Sequence, residues 1–150
     1  MRPAAKIVPS VYFLASLLAM LALHRYLPIA RIIEPPLTWV GLVPLLLGLV
    51  SAIAGARAFG RAGTSVKPFR EAKALVTDGI FRVSRNPMYL GMVSALLGVA
   101  ILLGTVGAFL PVPLFFLVLE RWFVRPEERM LERLFGEQYR DYRRRVRRWM

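Results

Sequence analysis

The sequence predicts an all-α integral membrane protein, with about four transmembrane helices and a C-terminal amphipathic cytoplasmic helix. Three observations carry that expectation. Hydrophobic residues make up 57% of the 150 residues, and the mean hydropathy is +0.52, which leaves little polar surface for water. The formal net charge is nevertheless +12, from 21 Lys and Arg against 9 Asp and Glu. Finally, the charges sit in blocks, separated by uncharged apolar stretches at 7–23, 35–56 and 86–119. The apolar fraction excludes disorder, and there is no glycine period for a collagen-like chain. Without cysteine there is no disulfide framework, thiolate nucleophile or Cys-ligated zinc. A single histidine, His24, is too few for a His-based metal site, so no metal is expected.

The first span is predicted at 7–23, where 17 residues rise ~25 Å as a helix. Lys6, Arg25 and Tyr26 can reach the interfaces on either side. The stretch is read as a retained span and not a signal peptide, because His24-Arg25-Tyr26-Leu27-Pro28 follows it instead of a small-residue cleavage site. The second span, 37–56, has Trp39 near its start as an interfacial aromatic. It contains Gly41, Pro44 and Gly48, which membrane helices tolerate.

The third stretch is 34 residues long, and a single helix of that length would overshoot the hydrocarbon by roughly 20 Å. Gly104-Thr105-Val106-Gly107 offers a turn, with Pro111 and Pro113 beyond it. The stretch therefore divides into spans at 88–103 and 108–124, with Glu120 and Arg121 near the end of the last. The loop 57–85 carries Arg57, Arg61, Lys67, Arg70, Lys73, Arg82 and Arg85 against Glu71 and Asp78. From Glu120 onward there are ten arginines and six acids, whereas the opposite side holds only His24, Arg25, Arg31 and Glu34. The positive-inside rule then puts both termini and the loop in the cytoplasm, within one domain spanning 1–150.

The tail, 126–150, is expected to be helical. Pro126 suits a first helical position, and Glu127 and Glu128 suit a first turn. Met130, Leu131, Leu134 and Phe135 form an apolar face ahead of Gly136. Tyr139, Tyr142, Val146 and Trp149 then recur at helical spacing opposite a face of arginine. That pattern suits a helix lying on the inner membrane surface, its arginine run 143–148 held by anionic lipid at about 1 kcal/mol per residue.

Most catalytic signatures are absent: no phosphate-binding glycine loop, GxGxxG, HExxH or serine elbow is present. What remains is polar sequence at one membrane face. Ser84-Arg85-Asn86-Pro87-Met88-Tyr89 opens the third span, and Arg125-Pro126-Glu127-Glu128 closes the fourth. A helical hairpin brings the two segments together.

These segments lie inside longer motifs. Leu75-Val76-Thr77-Asp78-Gly79-Ile80-Phe81-Arg82, continuing through Ser84-Arg85-Asn86-Pro87-Met88-Tyr89-Leu90-Gly91, resembles the first signature of the isoprenylcysteine carboxyl methyltransferase / phospholipid methyltransferase superfamily. Glu127-Glu128-x-x-Leu131, then Phe135-Gly136-Glu137-x-Tyr139-x-x-Tyr142-x-x-x-Val146, resembles the second. The resemblance covers 63–146. It implies an integral membrane enzyme using S-adenosyl-L-methionine, with the cofactor pocket built from the cytoplasmic ends of the last spans and the C-terminal helix. Carried onto this chain, it implies Asn86, Pro87, Tyr89, Leu90, Glu127 and Glu128 as cofactor-binding residues; the catalytic candidates are Glu128 and, from the chemistry of its side chain beside the second motif, Arg125. Prenylcysteine enzymes carry His where this chain has Asn86, and a proline-rich ending where it has Arg147-Arg148-Trp149-Met150. A prenylcysteine substrate therefore does not follow.

The chemistry of the residues agrees with that implication. Asn86 donates and accepts, Tyr89 adds a ring and a hydroxyl, and the glutamates accept from an ammonium or a ribose. Arg125 can orient a carboxylate of acceptor or cofactor bidentately. Each residue also has a plainer reading: Asn86-Pro87 as a helix start, the glutamates as helix-dipole partners, Arg125 as a snorkelling anchor, and Tyr139 and Tyr142 as packing.

The expected function is methyl transfer to a lipophilic or membrane-delivered acceptor, carboxylate or amine, at the cytoplasmic face of a bacterial inner membrane. The rival is a non-catalytic membrane scaffold whose polybasic helix binds anionic lipid or a partner protein. Nucleic acid is not an expected partner, because no soluble module carries exposed aromatics among the charges.

Overall fold

A computed structural model describes residues 8–64 and 72–150. Lys6, Ile7, Lys67, Arg70 and Glu71, which belong to the predicted first span with its flank and to the loop, lie outside the described residues. Helix α1 runs Pro9–Tyr26, and α2 runs Leu42–Arg61 after a 3-10 turn at Leu37–Gly41. Another 3-10 turn at Gly79–Arg82 precedes α3 at Pro87–Leu103. A short α4, Val106–Phe109, leads into α5, Pro111–Leu119. A π turn at Glu120–Val124 joins α5 to α6, Arg125–Phe135, and α7, Glu137–Arg145, follows. Among the described residues the only bridge pairing is an isolated one, Arg31 with Thr105. Among the described residues two helices, Leu37–Arg61 and Val106–Phe135, are long and apolar enough to cross a membrane; Pro87–Leu103 is a shorter apolar helix.

The long apolar stretch breaks at Gly104, which takes a left-handed φ of 70° and closes α3. The α1–α2 connection docks on that turn: Ile32 N donates to Gly104 O at 2.8 Å, and Val106 N donates to Ala30 O at 2.9 Å. Helices α2 and α3 run antiparallel at backbone contact, with Gly41 facing Gly98 and Gly48 facing Gly91. The spacing of seven keeps these glycines on one face of each helix, so no side chain separates the two backbones.

The tail departs from the sequence expectation. No new helix starts at Pro126, because α5, the π turn and α6 form one rod, Val106–Phe135. A proline inside a helix removes one backbone bond and crowds the preceding turn, and the wider π turn lies where that strain falls. Glu127 and Glu128 therefore do not sit at a free helix N-terminus, and the dipole reading loses its basis. The aromatic face of α7 is not presented to lipid either. Tyr139 and Tyr142 are buried with Ala58 and Phe81, and the Tyr142 hydroxyl donates to Phe81 O at 2.6 Å.

Candidate functional site

The glycine seam fixes where α3 begins, and the hairpin at Gly104 fixes where the rod returns. Between them, at the start of α3, lies a cavity of about 430 Å³. Its polar wall comprises Arg85, Asn86, Tyr89, Glu127, Glu128, Tyr139 and Tyr142. Its apolar wall includes Ala52 and Phe59 from α2, Met88 and Met92 from α3, and Met130 and Leu131 from α6. The start of α1 contributes Val8, Pro9 and Ser10.

Asn86 occupies the N-cap position of α3, but its side chain makes no capping bond. The Asn86 amide instead donates to Glu128 Oε1 at 3.5 Å and to Arg148 O at 3.3 Å. Pro87, at the first helical position, needs no N–H there. The Tyr89 hydroxyl donates to Glu127 Oε2 at 2.8 Å, joining the two motifs across 38 residues of sequence. Glu128 is the hub. Its Oε1 accepts from Arg85 Nη2 at 2.9 Å, and its Oε2 accepts from Arg148 at 2.7 Å. Arg148 also donates to Glu120 Oε1 at 2.7 Å, which accepts from Arg125 Nε at 3.0 Å as well. Glu120 and Glu128 are both buried, and each has at least two arginine partners, which is what allows a carboxylate to remain in so dry a place.

Of the residues expected at the site, Asn86, Pro87, Tyr89, Glu127 and Glu128 line this cavity, while Leu90 and Arg125 do not. Leu90 follows Tyr89 on a helix, so its side chain points elsewhere on α3. Arg125 is half-exposed and lines a second cleft of about 340 Å³ with Arg129, Glu132, Arg143 and Arg148, behind the Glu128 wall.

Arg85, Arg148 and Tyr139 are not among the site residues expected from the sequence, although Arg85 and Tyr139 lie within the two motifs. Arg148 belongs to the arginine run expected to face lipid. The run's last turn instead doubles back, so that Arg147 O accepts from Arg85 N at 3.0 Å and Arg148 O accepts from Ser84 Oγ at 3.1 Å. Trp149 anchors the return on Phe116, with ring centroids 4.9 Å apart. The one signal was composition: a buried pair of glutamates needs cations, and the tail holds the surplus. Burial, reinforced by Glu128, pushes the Tyr139 hydroxyl up to about 12, although Arg85, Arg143 and Arg148 oppose the rise. It is a protonated donor at any ordinary pH.

The phospholipid methyltransferase family profile matches residues 36–138. The chain is 41% identical over 75 residues to the protein-S-isoprenylcysteine O-methyltransferase of Schizosaccharomyces pombe, covering 48% of this chain and 30% of that protein. It is 41% identical over 63 residues to an uncharacterized protein of Haemophilus influenzae, covering 42% of this chain and all of that one. A solved eukaryotic intramembrane Ras methyltransferase, isoprenylcysteine carboxyl methyltransferase, superposes with a TM-score of 0.69 at 22% identity. That match covers 94% of this chain and 51% of the solved one. The chain thus spans about half the length of the solved methyltransferase and under a third of the yeast relative. At that identity the superposition establishes a shared fold.

Proposed function

Because the chain belongs to the phospholipid methyltransferase family, we propose that it is a membrane enzyme that moves a methyl group from S-adenosylmethionine to a lipophilic acceptor. The observation that carries this reading is the cavity at the start of α3, where the two motifs meet through Tyr89–Glu127 and Asn86–Glu128. Its volume lies in the range of small-molecule sites, and its mixture of apolar wall and few convergent polar groups is that of a ligand pocket. Bound there, S-adenosylmethionine supplies a methyl group on a cationic sulfonium.

This chain's residues fit such a molecule. Glu127 and Glu128 offer carboxylates to its positive charges, Asn86 both donates and accepts, and Phe59 and Tyr89 offer rings beside the polar wall. Met88, Met92 and Leu131 exclude water from the reacting atoms, which strengthens every charge interaction inside. A carboxylate acceptor needs no base. An amine acceptor must first lose a proton, and Glu127 is the cavity carboxylate that no arginine engages among the described residues.

The proposal includes the setting. Four helices cross the inner membrane of a bacterium, with the loop and the tail on the cytoplasmic side. The exposed Arg140, Arg143, Arg145 and Arg147 face anionic headgroups, while Arg148 is engaged internally. A scaffold alone would have no use for a cavity of small-molecule size at the meeting of the two motifs.

Calorimetric titration of detergent-purified protein with S-adenosylhomocysteine tests the reading without a known acceptor. The wild type is expected to bind. Asn86→Ala is expected to weaken binding by about 5- to 150-fold, the loss of one polar partner worth ~1–3 kcal/mol in a partly desolvated site. No binding by the wild type would return the protein to the scaffold reading.

A further inference from the structure

Two donors on the cavity wall have no partner. Arg85 Nε and the Tyr139 hydroxyl are buried and make no hydrogen bond among the described residues, and both residues line the cavity. The Arg85 side chain is 7% exposed and Tyr139 is 1% exposed, so both are shielded from bulk solvent. Glu120 Oε2 is also buried without a partner, but it is an acceptor and Glu120 does not line the cavity. The other Arg85 nitrogens donate to Glu128 and Arg143 O, and the Tyr142 hydroxyl donates to Phe81 O. Native proteins rarely leave buried donors unpaired, so two on the wall of one cavity mark where a ligand atom completes the site.

The chemistry of the missing partner follows from the donors. An arginine Nε–H only donates, and the Tyr139 phenol keeps its proton, so the partner must accept from both. A group that only donates, such as an ammonium, can serve neither. Arg85 brings a positive charge to this part of the wall, shared there with Glu128. A carboxylate, with two oxygens that each accept, meets both donors.

We propose that Arg85 Nε–H and the Tyr139 hydroxyl together receive the carboxylate of a bound ligand. The proposal rests on the methyl-transfer reading and narrows it. The carboxylate belongs either to the amino-acid end of the methyl donor or to an apolar acid that accepts the methyl group.

Tyr139→Phe removes only the unpaired oxygen, and Arg85→Lys keeps the charge beside Glu128 while deleting Nε–H. Each variant and the wild type is titrated with S-adenosylhomocysteine, with its decarboxylated 3-aminopropyl analogue, and separately with dodecanoate and methyl dodecanoate. The melting temperature of Tyr139→Phe should equal that of the wild type, since its hydroxyl has no partner to lose. If the donor's carboxylate is held here, S-adenosylhomocysteine weakens about fivefold or more in both variants, and the decarboxylated analogue binds all three proteins alike. If the acceptor's is held here, S-adenosylhomocysteine is unaffected, and the wild type's preference for dodecanoate over its methyl ester disappears in the variants. Unchanged binding of all four ligands overturns the proposal, as does a Tyr139→Phe variant that melts early and binds normally. A wild type that ignores S-adenosylhomocysteine but prefers dodecanoate through these residues would sink the methyl-transfer reading and leave the carboxylate site standing.

Discussion

The α2–α3 seam and the charged cluster at the start of α3 solve opposite problems. Along the seam, backbone meets backbone: a Cβ at Gly98 would lie 2.6 Å from Gly41 O and from Leu45 N, and one at Gly91 would lie 2.7 Å from Gly48 O. There is no slack and almost no polarity. The cluster has the reverse character, with Glu128 accepting from three residues while Arg85 Nε and Tyr139 go unpaired beside a cavity. The first region places α3 rigidly, and the second holds polarity in reserve for a ligand. Preorganised sites need both, since donors aimed at an empty space must be kept from collapsing onto one another.

The cluster should break hardest. Glu128→Ala leaves Arg85 and Arg148 without their shared carboxylate, one of them deeply buried. Removing one member of a buried ion pair costs about 3–5 kcal/mol, far more than the pair contributes when intact. Thermal unfolding in detergent micelles is expected to show that loss, together with loss of S-adenosylhomocysteine binding. Near-normal stability would mean that the arginines can turn to solvent and that the cluster is looser than its geometry.

The seam should follow. Gly98→Ala adds one methyl group against backbone atoms that cannot rotate away, an overpacking cost of about 1–3 kcal/mol. Gly60→Ala is the control, because Gly60 lies exposed near the end of α2 with nothing within 4 Å of an added Cβ. There the helix should gain roughly 0.5–1 kcal/mol from the lost flexibility. Opposite signs in the two variants, read from unfolding midpoints, would separate close packing from helix propensity. Equal signs would show that the seam can open.

How much of this could be read in the sequence depends on which residues carried it. The apolar stretches were legible because charge is absent from each over many residues, and the turn at Gly104 because it holds two glycines within four residues. The meeting of Asn86 and Tyr89 with Glu127 and Glu128 followed from the hairpin. The glycine seam was visible only as spacing, since pairing Gly48 with Gly91 requires the register of two antiparallel helices. Arg148 was hidden among its neighbours in a run that looks uniformly solvated, and only the chain reversal after α7 separates it from them. The helix start expected at Pro126 failed because a π turn let the preceding helix continue through the proline.

Arg125 sharpens the comparison with the smallest expected effect. Its sequence position beside Glu127 and Glu128 suggested a planar grip on a carboxylate, for which lysine is a poor substitute. The structure uses neither the fork nor the cavity: a single nitrogen, Nε, reaches Glu120, and the side chain is 54% exposed in the outer cleft. Glu120 Oε1 also keeps its shorter bond from Arg148 whatever stands at 125. A lysine ammonium on a flexible stem can replace one half-solvated contact, so Arg125→Lys should change stability by no more than ~0.5 kcal/mol. S-Adenosylhomocysteine binding should stay within about twofold of the wild type. A tenfold loss would put Arg125 in contact with the ligand, and the division between an inner cavity that binds and an outer cleft that only holds charge would have to be redrawn with Glu128 on both sides of it.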